Sequence, residues 1–303
     1  MLPQAVSDHY RAQQRLTLAT LAAVKREWRR MGDDLDASWR TVGPRVAALT
    51  AAAQVGAARD GMAYVPQALA EQGIAAPQVA AVDPRAFAGA ATSLDGLAYG
   101  SLNDLLYGAV VHARTAPAES LQQRLTAGGK WLEGLVHTQV SDAARMASST
   151  TIAATTGVGW VRMVNPPCCQ RCAVLAGKFF KSNEGFQRHP RCDCRHVPTT
   201  DAQWRDAGVF IGPDDVKDLT AAQRQAIADG ADMNQVINSH RAGARSKDLM
   251  TTNEGATRRG VAGKALGAGR GQRATRLTPE GIYRIASDRD EALRLLTAHG
   301  YLL

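Results

Sequence analysis

The chain has 303 residues, which is enough for about two domains of ~150 residues each. Apolar residues make up 45% of the sequence, so a core can be buried and wholesale disorder is excluded. The sequence has no run of about 18 charge-free apolar residues. Its first residues, 1–4, lack the basic-then-apolar pattern of a signal peptide. We therefore expect no membrane span and synthesis in a cytosol-like compartment.

The net charge of +8 is concentrated in one segment, residues 238–276. Nine basic residues against two acidic ones leave this segment with a charge of +7. It also contains seven glycines and no aromatic residue, so it has little to bury and much backbone entropy to lose. We predict a mobile basic arm that contacts DNA through Arg241, Arg245, Lys247, Arg258, Arg259, Lys264, Arg270, Arg273 and Arg276.

The first 150 residues have helical periodicity. An apolar stripe runs through a first helix at Leu21, Val24, Trp28 and Met31, and four basic residues lie off that stripe, Lys25, Arg26, Arg29 and Arg30. These basic residues indicate a solvated face or, alternatively, a helix that binds nucleic acid. A second helix is predicted after the cap Asp33-Asp34 and is expected to stop at Gly43-Pro44. Short helices joined by turns are expected over 45–91.

Two further helices are predicted in the same half of the chain. One contains the apolar run 102–110, and a longer one covers about 118–146. Gly128-Gly129 is expected to weaken the longer helix. Near its end, the polar residues His137, Asp142 and Arg145 are expected at the surface or in a network at the helix end.

The helical periodicity ends at Gly157. Residues 157–164 are predicted to form a strand, with Trp160 and Arg162 alternating. Four helix caps follow, at Thr220, Asp232, Thr278 and Asp288. The helices that begin at the first two caps are also compatible with a DNA-binding helix-turn-helix, although the second lacks a base-reading stripe. The predicted fold is mainly α (α+β). Its three domains are a helical domain (1–150), a Cys/His-rich module containing β-structure (151–212) and a helical C-terminal region with the basic arm (213–303).

All five cysteines lie within residues 168–194, which favours metal binding or catalysis over a disulfide-stapled secreted domain. A Cys-x2-Cys pair, a spacer long enough for a hairpin and a His-x2-Cys-x-Cys group form the spacing of a tetrahedral zinc site. The expected ligands are Cys169, Cys172, His189 and Cys192, and Cys194 is able to replace either of the last two. Reduced thiols, disulfides formed later and a catalytic metal remain alternatives.

Catalytic motifs are not indicated by the sequence. The zinc-deaminase signature is out of register, because Pro167 precedes Cys168 rather than the first cysteine of the Cys-x2-Cys pair. The Walker phosphate loop, the dinucleotide fingerprint and the Gly-x-Ser-x-Gly nucleophile motif are missing as well. We expect a non-enzymatic protein. The alternative is a metal-dependent nucleic-acid hydrolase that uses the Cys/His segment, with His196 in its active site.

Several segments together resemble the MuF-like minor head proteins of tailed phages, in particular those of phages that infect actinobacteria. The most specific resemblance lies in 159–164, 169–177, 185–194 and Pro198. Weaker matches are found at 105–109, 142–145, 229–238, 257–260, 277–283 and 295–301. The family's cysteines correspond to Cys169, Cys172, Cys192 and Cys194, together with His189.

The resemblance implies a structural protein of the phage head that is present in few copies. Such proteins associate with the portal and capsid proteins, enter the procapsid during assembly and in some cases influence packaged or ejected DNA. We therefore expect a location in the virion, and in the host cytoplasm during assembly. A glycine-rich basic arm is suited to contact with phosphates of packaged double-stranded DNA without base readout. Contact with an acidic face of the portal, or an inert linker, remains an alternative for the arm.

Overall fold

The computed structural model describes residues 2–92, 98–182, 194–209, 211–239, 250–254, 260–267, 269 and 274–302. The chain divides into two compact units. The first unit comprises Met1–Met163 and Gly177–Val209, and the second comprises Val164–Ala176 and Phe210–Leu303. The fold is mainly α-helical with small β-sheets, as the sequence predicts. The predicted middle module, 151–212, does not form a unit of its own. Its strands belong to the first unit and its Cys-x2-Cys turn belongs to the second.

Four helices form the main core of the first unit: α1 (Gln4–Trp28), α2 (Leu35–Glu71), α3 (Leu102–Thr115) and α4 (Leu121–Ala153). The predicted stripe of α1 is confirmed at Val24, Trp28 and Met31, which are buried. These side chains pack with apolar residues from the other three helices, among them Trp39, Val46, Leu106, Val110, Leu132 and Val136. A short hairpin of β1 (Ala90–Thr92) and β2 (Ala98–Ser101) leads into α3.

Helix α2 corrects the prediction that the chain breaks at Gly43-Pro44. Asp34 caps the helix as expected, but the helix continues through both Pro44 and Pro66 for 37 residues. Both prolines lie on the exposed side, where water can solvate the carbonyl groups that lose their partners. The buried positions continue without interruption along the other side. Core packing therefore outweighs a local cost of about 3 kcal/mol per interior proline.

The glycine pair in α4 is a site of close packing, not the weak point that we expected from helix propensity. A Cβ on Gly128 would lie 2.7 Å from the Cβ of Ala113 and 2.9 Å from Cζ2 of Trp28. The indole Nε1 of Trp28 in turn donates a hydrogen bond to the carbonyl of Leu125 at 2.9 Å. The absence of side chains at this pair lets α1 and α3 approach α4 closely.

The first unit also contains a three-stranded antiparallel sheet in the order β4 (Phe179–Phe180), β3 (Gly159–Met163) and β5 (Arg195–Thr199). The strand predicted at 157–164 is thus confirmed as β3. Trp160 and Arg162 were expected to alternate, but residues two apart share one face of a strand, and both are 1% exposed. Val161 on the opposite face is also 1% exposed, so both faces of this strand are covered. Its apolar residues share a second core cluster with Tyr64 and Val65 of α2 and Ile152 of α4.

The second unit is built from short elements, and the starts of four of its helices were predicted correctly. Thr220, Asp232, Thr278 and Asp288 each accept a hydrogen bond from the backbone N–H three residues later. The helices are α5 (Gln170–Ala173), α6 (Ala221–Ala228), α7 (Met233–Asn238), α8 (Val261–Ala265), α9 (Pro279–Ile285) and α10 (Arg289–Ala298). Strands β6 (Thr251–Thr252) and β7 (Arg276–Leu277) pair with each other.

The core of the second unit contains Ala226, Val236, Ile282, Leu296 and Tyr301. Among the described helices of the whole chain, α1 to α10, none combines the length and the apolar character that a membrane crossing requires.

Candidate functional site

The Cys169-x2-Cys172 pair forms a compact turn in the second unit. Cys169 is the N-cap of α5, and its sulfur accepts a hydrogen bond from the backbone N–H of Cys172 at 3.4 Å. The backbone carbonyl of Cys169 accepts further bonds from the N–H groups of Cys172 and Ala173. The local fold thus brings both sulfur-bearing residues into a single turn, which is the arrangement that the spacing predicts for two ligands of one metal ion.

Cys168, which was left out of the predicted ligand set, has a different environment. Its backbone pairs with the segment around Val216: its N–H donates to the carbonyl of Asp215, and its carbonyl accepts from the N–H of Lys217, both at 2.8 Å. The residue is buried, with 7% exposed. Burial, aided by the adjacent Cys169, raises the pKa of the Cys168 thiol. This thiol therefore stays protonated near neutral pH.

Of the other predicted ligands, one belongs to the first unit and two lie outside the residues that the structure describes. Cys194 is buried in the first unit, where its sulfur accepts a hydrogen bond from Nη2 of Arg162 at 3.4 Å. His189 and Cys192 lie outside the described residues. Within the described ranges, no group of three or more His, Cys, Asp or Glu side chains is arranged to hold a metal ion. The zinc site therefore stays a prediction.

Cys194 also borders a group of polar side chains in the first unit, all buried except the half-buried Asp60, which we call the polar layer: His9, Asp60, Tyr64, Asp142, Arg145, Ser148, Arg162, Arg195 and His196. Helices α1, α2 and α4 contribute the first six of these residues, and β3 and β5 contribute the others. Arg145 joins two of these elements. Its Nη1 lies 2.7 Å from Oδ1 of Asp142, and its Nε donates to the carbonyl of Cys194 at 2.8 Å.

Asp142 and Arg145 were expected at the surface or in a network at the helix end, and the structure shows them in a buried hydrogen-bonded network. Each is only 6% exposed. The sequence did contain a signal for this burial. Asp142 and Arg145 are three residues apart and so share one helix face with apolar residues, and they are buried when that face packs against the core. Removing two charges from water costs solvation energy, which is offset only by their mutual attraction and by further hydrogen bonds. The carbonyl of Cys194 accepts one of these bonds from Arg145.

A second connection in the polar layer starts from His9 of α1, which sequence reasoning did not single out. Its Nδ1 lies 2.5 Å from Oδ2 of Asp60 on α2, and the amide of Gln13 donates to the same oxygen at 2.8 Å. Burial lowers the pKa of His9 in spite of its hydrogen bond to Asp60. Burial would raise the pKa of Asp60, but the hydrogen bonds from His9 and Gln13 outweigh it and the pKa is lowered. The pair is therefore a neutral histidine donating to a carboxylate.

His196, the residue on which a hydrolase mechanism would depend, lies inside this layer. It is 5% exposed, and its ring packs edge-on against Trp160 with the ring centroids 4.0 Å apart. Its backbone carbonyl accepts a hydrogen bond from the hydroxyl of Tyr64, and its Nδ1 lies 3.5 Å from Oγ of Ser148. A general base must reach its substrate, and a 5% exposed imidazole packed against Trp160 is poorly placed for that role.

The predicted basic arm needs one definite correction. Arg276 is fully buried on β7, with its guanidinium 4.4 Å from the ring centroid of Tyr301 and its Nη1 donating to the carbonyl of His299 at 3.2 Å. Burial lowers the pKa of Arg276. This arginine supports the core of the second unit and does not contact DNA.

The segment 238–276 is also only partly an arm. Strand β6 and helix α8 lie within it, and Ala262 of α8 is completely buried. Lys264 is exposed, as a phosphate contact requires. The other predicted contacts lie outside the described residues: Arg241, Arg245, Lys247, Arg258, Arg259, Arg270 and Arg273.

Comparison of the chain with protein-family models, with curated proteins and with solved structures gives no match.

Proposed function

We propose that this chain is a minor head protein of a tailed phage or prophage, which acts in head assembly at the portal and contacts packaged double-stranded DNA. The proposal rests on the resemblance to MuF-like proteins. One structural observation supports it: segments that carry the resemblance, although far apart in the sequence, are joined by hydrogen bonds within each unit.

In the first unit, Arg145 links the segment 142–145 to Cys194, which lies 49 residues away. The strand segment 159–163 pairs along its whole length with 195–199, which includes Pro198. The matching segments thus lie on both sides of the same contacts, as expected for a shared structural framework.

In the second unit, three matching segments of the tail are connected in the same way. The hydroxyl of Tyr283 donates to Asp229 at 2.7 Å, and the N–H of Asp232 donates to the carbonyl of Tyr301 at 2.8 Å. The hydroxyl of Tyr301 donates to the carbonyl of Leu277, also at 2.8 Å. These bonds join 229–238, 277–283 and 295–301.

The proposal includes a structural zinc ion, held by Cys169 and Cys172 with the remaining ligands among His189, Cys192 and Cys194. The turn at Cys169 fits such a role because its donors are soft sulfur atoms, and the Cys172 N–H is oriented to stabilise negative charge on the Cys169 sulfur. When bound, zinc would supply folding energy, on the order of 10–16 kcal/mol of apparent binding free energy.

The zinc proposal is tested on fresh, reduced protein purified without chelator. Elemental analysis should find one zinc ion per chain, and EDTA should lower the melting temperature. The Cys169→Ser variant should lose both the metal and the effect of EDTA, whereas Cys168→Ser should retain them. Protein that contains no stoichiometric metal and melts identically with and without EDTA would contradict the proposal.

The head-protein proposal is tested in particles. Mass spectrometry of purified virions and of DNA-free procapsids, from a host that carries the gene, should find this chain at a few copies per particle. Deletion of the gene should reduce the yield of DNA-filled heads. Heads of normal yield and composition without the chain would rule out the proposed role.

Contact between the arm and DNA predicts a strong salt dependence. Five to seven phosphate contacts give a slope of about −4.5 to −6 for log K against log salt concentration. Neutralising Arg241, Arg245 and Lys247 should reduce the steepness of this slope by about 2 to 3. A slope unchanged by these substitutions would leave the arm as a linker.

A further inference from the structure

From Arg11 onward, the exposed side of α1 forms a stripe with two groups of basic residues. At 100° per residue, Arg11, Arg15, Leu18, Ala22, Lys25, Arg26 and Arg29 fall within a sector of about 100°. All seven side chains are exposed, and Leu18, near the centre of the stripe, is 64% exposed. Five of the seven are cationic, and the acidic residue of α1 that falls in the same sector is Asp8, one turn before Arg11.

Most of this positive charge is not neutralised locally. Arg11 pairs with Asp8 at 3.2 Å, and Lys25 pairs with Glu133 of α4 at 3.0 Å. For Arg15, Arg26 and Arg29, no carboxylate among the described residues lies within 4.0 Å. Three cations on one helix face thus point into solvent without a counter-charge.

An ordinary solvated helix face mixes the two signs, as α10 of the second unit does. Its polar side carries Arg289, Asp290, Glu291 and Arg294, and Arg294 lies 3.9 Å from Glu291. Such alternation keeps a surface soluble without attracting a polyanion. From Arg11 to Arg29 the exposed side of α1 carries five cations and no carboxylate, and this excess of positive charge produces a field that attracts a polyanion.

We infer that this stripe binds the phosphate backbones of duplex nucleic acid. Its cations form two groups, Arg11 with Arg15 and Lys25 with Arg26 and Arg29. The inner edges of the two groups, at Arg15 and Lys25, are about 15 Å apart along the helix. The major groove is about 12 Å wide, so flexible side chains from the two groups can reach the phosphates on its two walls. The uncharged middle of the stripe then faces the groove.

The other polyanionic surface, an anionic membrane, fits this helix less well. An interfacial helix inserts a broad apolar face into the lipid. The apolar side of α1 is occupied, because Val24 and Trp28 are buried in the core of the first unit. Leu18 alone is too small an anchor. Between Arg11 and Arg29 the stripe carries no asparagine or glutamine, so binding should be independent of base sequence.

The inference depends neither on the zinc ion nor on the arm. It is tested with the full chain and a fluorescent duplex of about 30 base pairs, by anisotropy over a range of salt concentrations. The stripe variant is Arg15→Gln, Arg26→Gln and Arg29→Gln. The control carries the same loss of charge at exposed arginines off the stripe, Arg40→Gln, Arg85→Gln and Arg294→Gln. Tryptophan fluorescence checks the fold of the first unit in both variants, and far-UV circular dichroism checks the helix content of the whole chain.

The stripe variant should bind at least tenfold more weakly at low salt, and the steepness of its salt dependence should fall by about 2.7, from 0.9 per lost phosphate contact. The control should stay within about twofold of the unmodified protein. The same tenfold loss should appear when the stripe substitutions are made in a chain whose arm is neutralised at Arg241, Arg245 and Lys247.

Three results would overturn the inference. Equal weakening by the stripe and control variants would reduce it to a general effect of net charge. Elimination of all DNA binding by the arm substitutions alone would leave the stripe without a role. A stripe variant that keeps its affinity for DNA but loses affinity for polyglutamate would show that the partner is an acidic protein. If this chain proves absent from phage particles, the head-protein proposal fails, but the binding measurements on the stripe, control and arm variants keep their meaning.

Discussion

In the first unit a layer of polar side chains lies between long helices and a sheet, whereas in the second unit polar side chains cap the starts of four short helices. The hydrogen bond from Arg145 to Cys194 spans 49 residues, and that from Tyr64 to His196 spans 132. The caps at Thr220 and Asp232 join residues only three apart. The first unit is therefore held by contacts that exist only when the whole unit is folded, and the second has starting points that each short segment supplies by itself.

This contrast can be tested separately in the two units, because all five tryptophans, Trp28, Trp39, Trp131, Trp160 and Trp204, belong to the first unit. Their fluorescence reports its unfolding. Hydrogen exchange of individual peptides reports the second unit.

The largest effect is expected from Arg145→Ala, which leaves Asp142 buried without its cation and removes the bond to the carbonyl of Cys194. Loss of one partner of a buried ion pair costs about 3–5 kcal/mol of unfolding free energy. Urea denaturation followed by tryptophan fluorescence measures this loss. The control Arg114→Ala removes an exposed pair with Asp36 and should leave the transition unchanged. Equal effects of the two substitutions would show that the polar layer adds no stability.

Two glycines of α2 provide the next comparison. A Cβ on Gly61 would collide with the backbone of Ala144, whereas a Cβ on Gly56 would only touch Leu16 at 3.5 Å. Gly61→Ala should therefore cost about 1–3 kcal/mol through overpacking. Gly56→Ala should add about 0.5–1 kcal/mol through helix propensity. Urea denaturation followed by tryptophan fluorescence measures whether each substitution raises or lowers the free energy of unfolding. A stabilising Gly61→Ala would contradict the close approach of α2 and α4.

A smaller and local effect is expected in the second unit. Asp232→Ala removes the cap of α7 and should cost about 1 kcal/mol. Amide exchange of peptides covering 232–239 should become faster, while the tryptophan transition of the first unit should not move. An equal shift of that transition would mean that the two units unfold together.

The smallest expected effect is a pH dependence of the first unit. Because the pKa of His9 is lowered from 6.5 in the folded state, the unfolded chain takes up a proton first, and stability falls as the pH drops below about 6.5. The lowered pKa of Asp60 adds a further loss below about 3.8. Urea transitions between pH 7.5 and 5 should show the first slope, and His9→Gln should reduce it. If His9→Gln leaves the pH dependence of the unfolding free energy unchanged, a titratable group other than His9 causes it.

The part of the architecture that depends on neighbouring residues was predictable. The helix starts at Asp34, Thr220, Asp232, Thr278 and Asp288 follow from a capping side chain and the backbone N–H three residues later. The stripe of α1 and the strand β3 follow from periodicity. For the candidate metal site, the spacing also predicted correctly that Cys169 and Cys172 share one turn.

Only the tertiary structure decided the features that depend on distant partners. Pro44 does not end α2, because the buried side of this helix packs against other helices along its full length. Arg276 reads as one more cation of a basic arm, but the ring of Tyr301 and the carbonyl of His299 hold it in a core. Local composition carries information about caps and periodicity. Whether a charge is buried or faces solvent is set by residues brought together from elsewhere in the chain, and no local pattern encodes that.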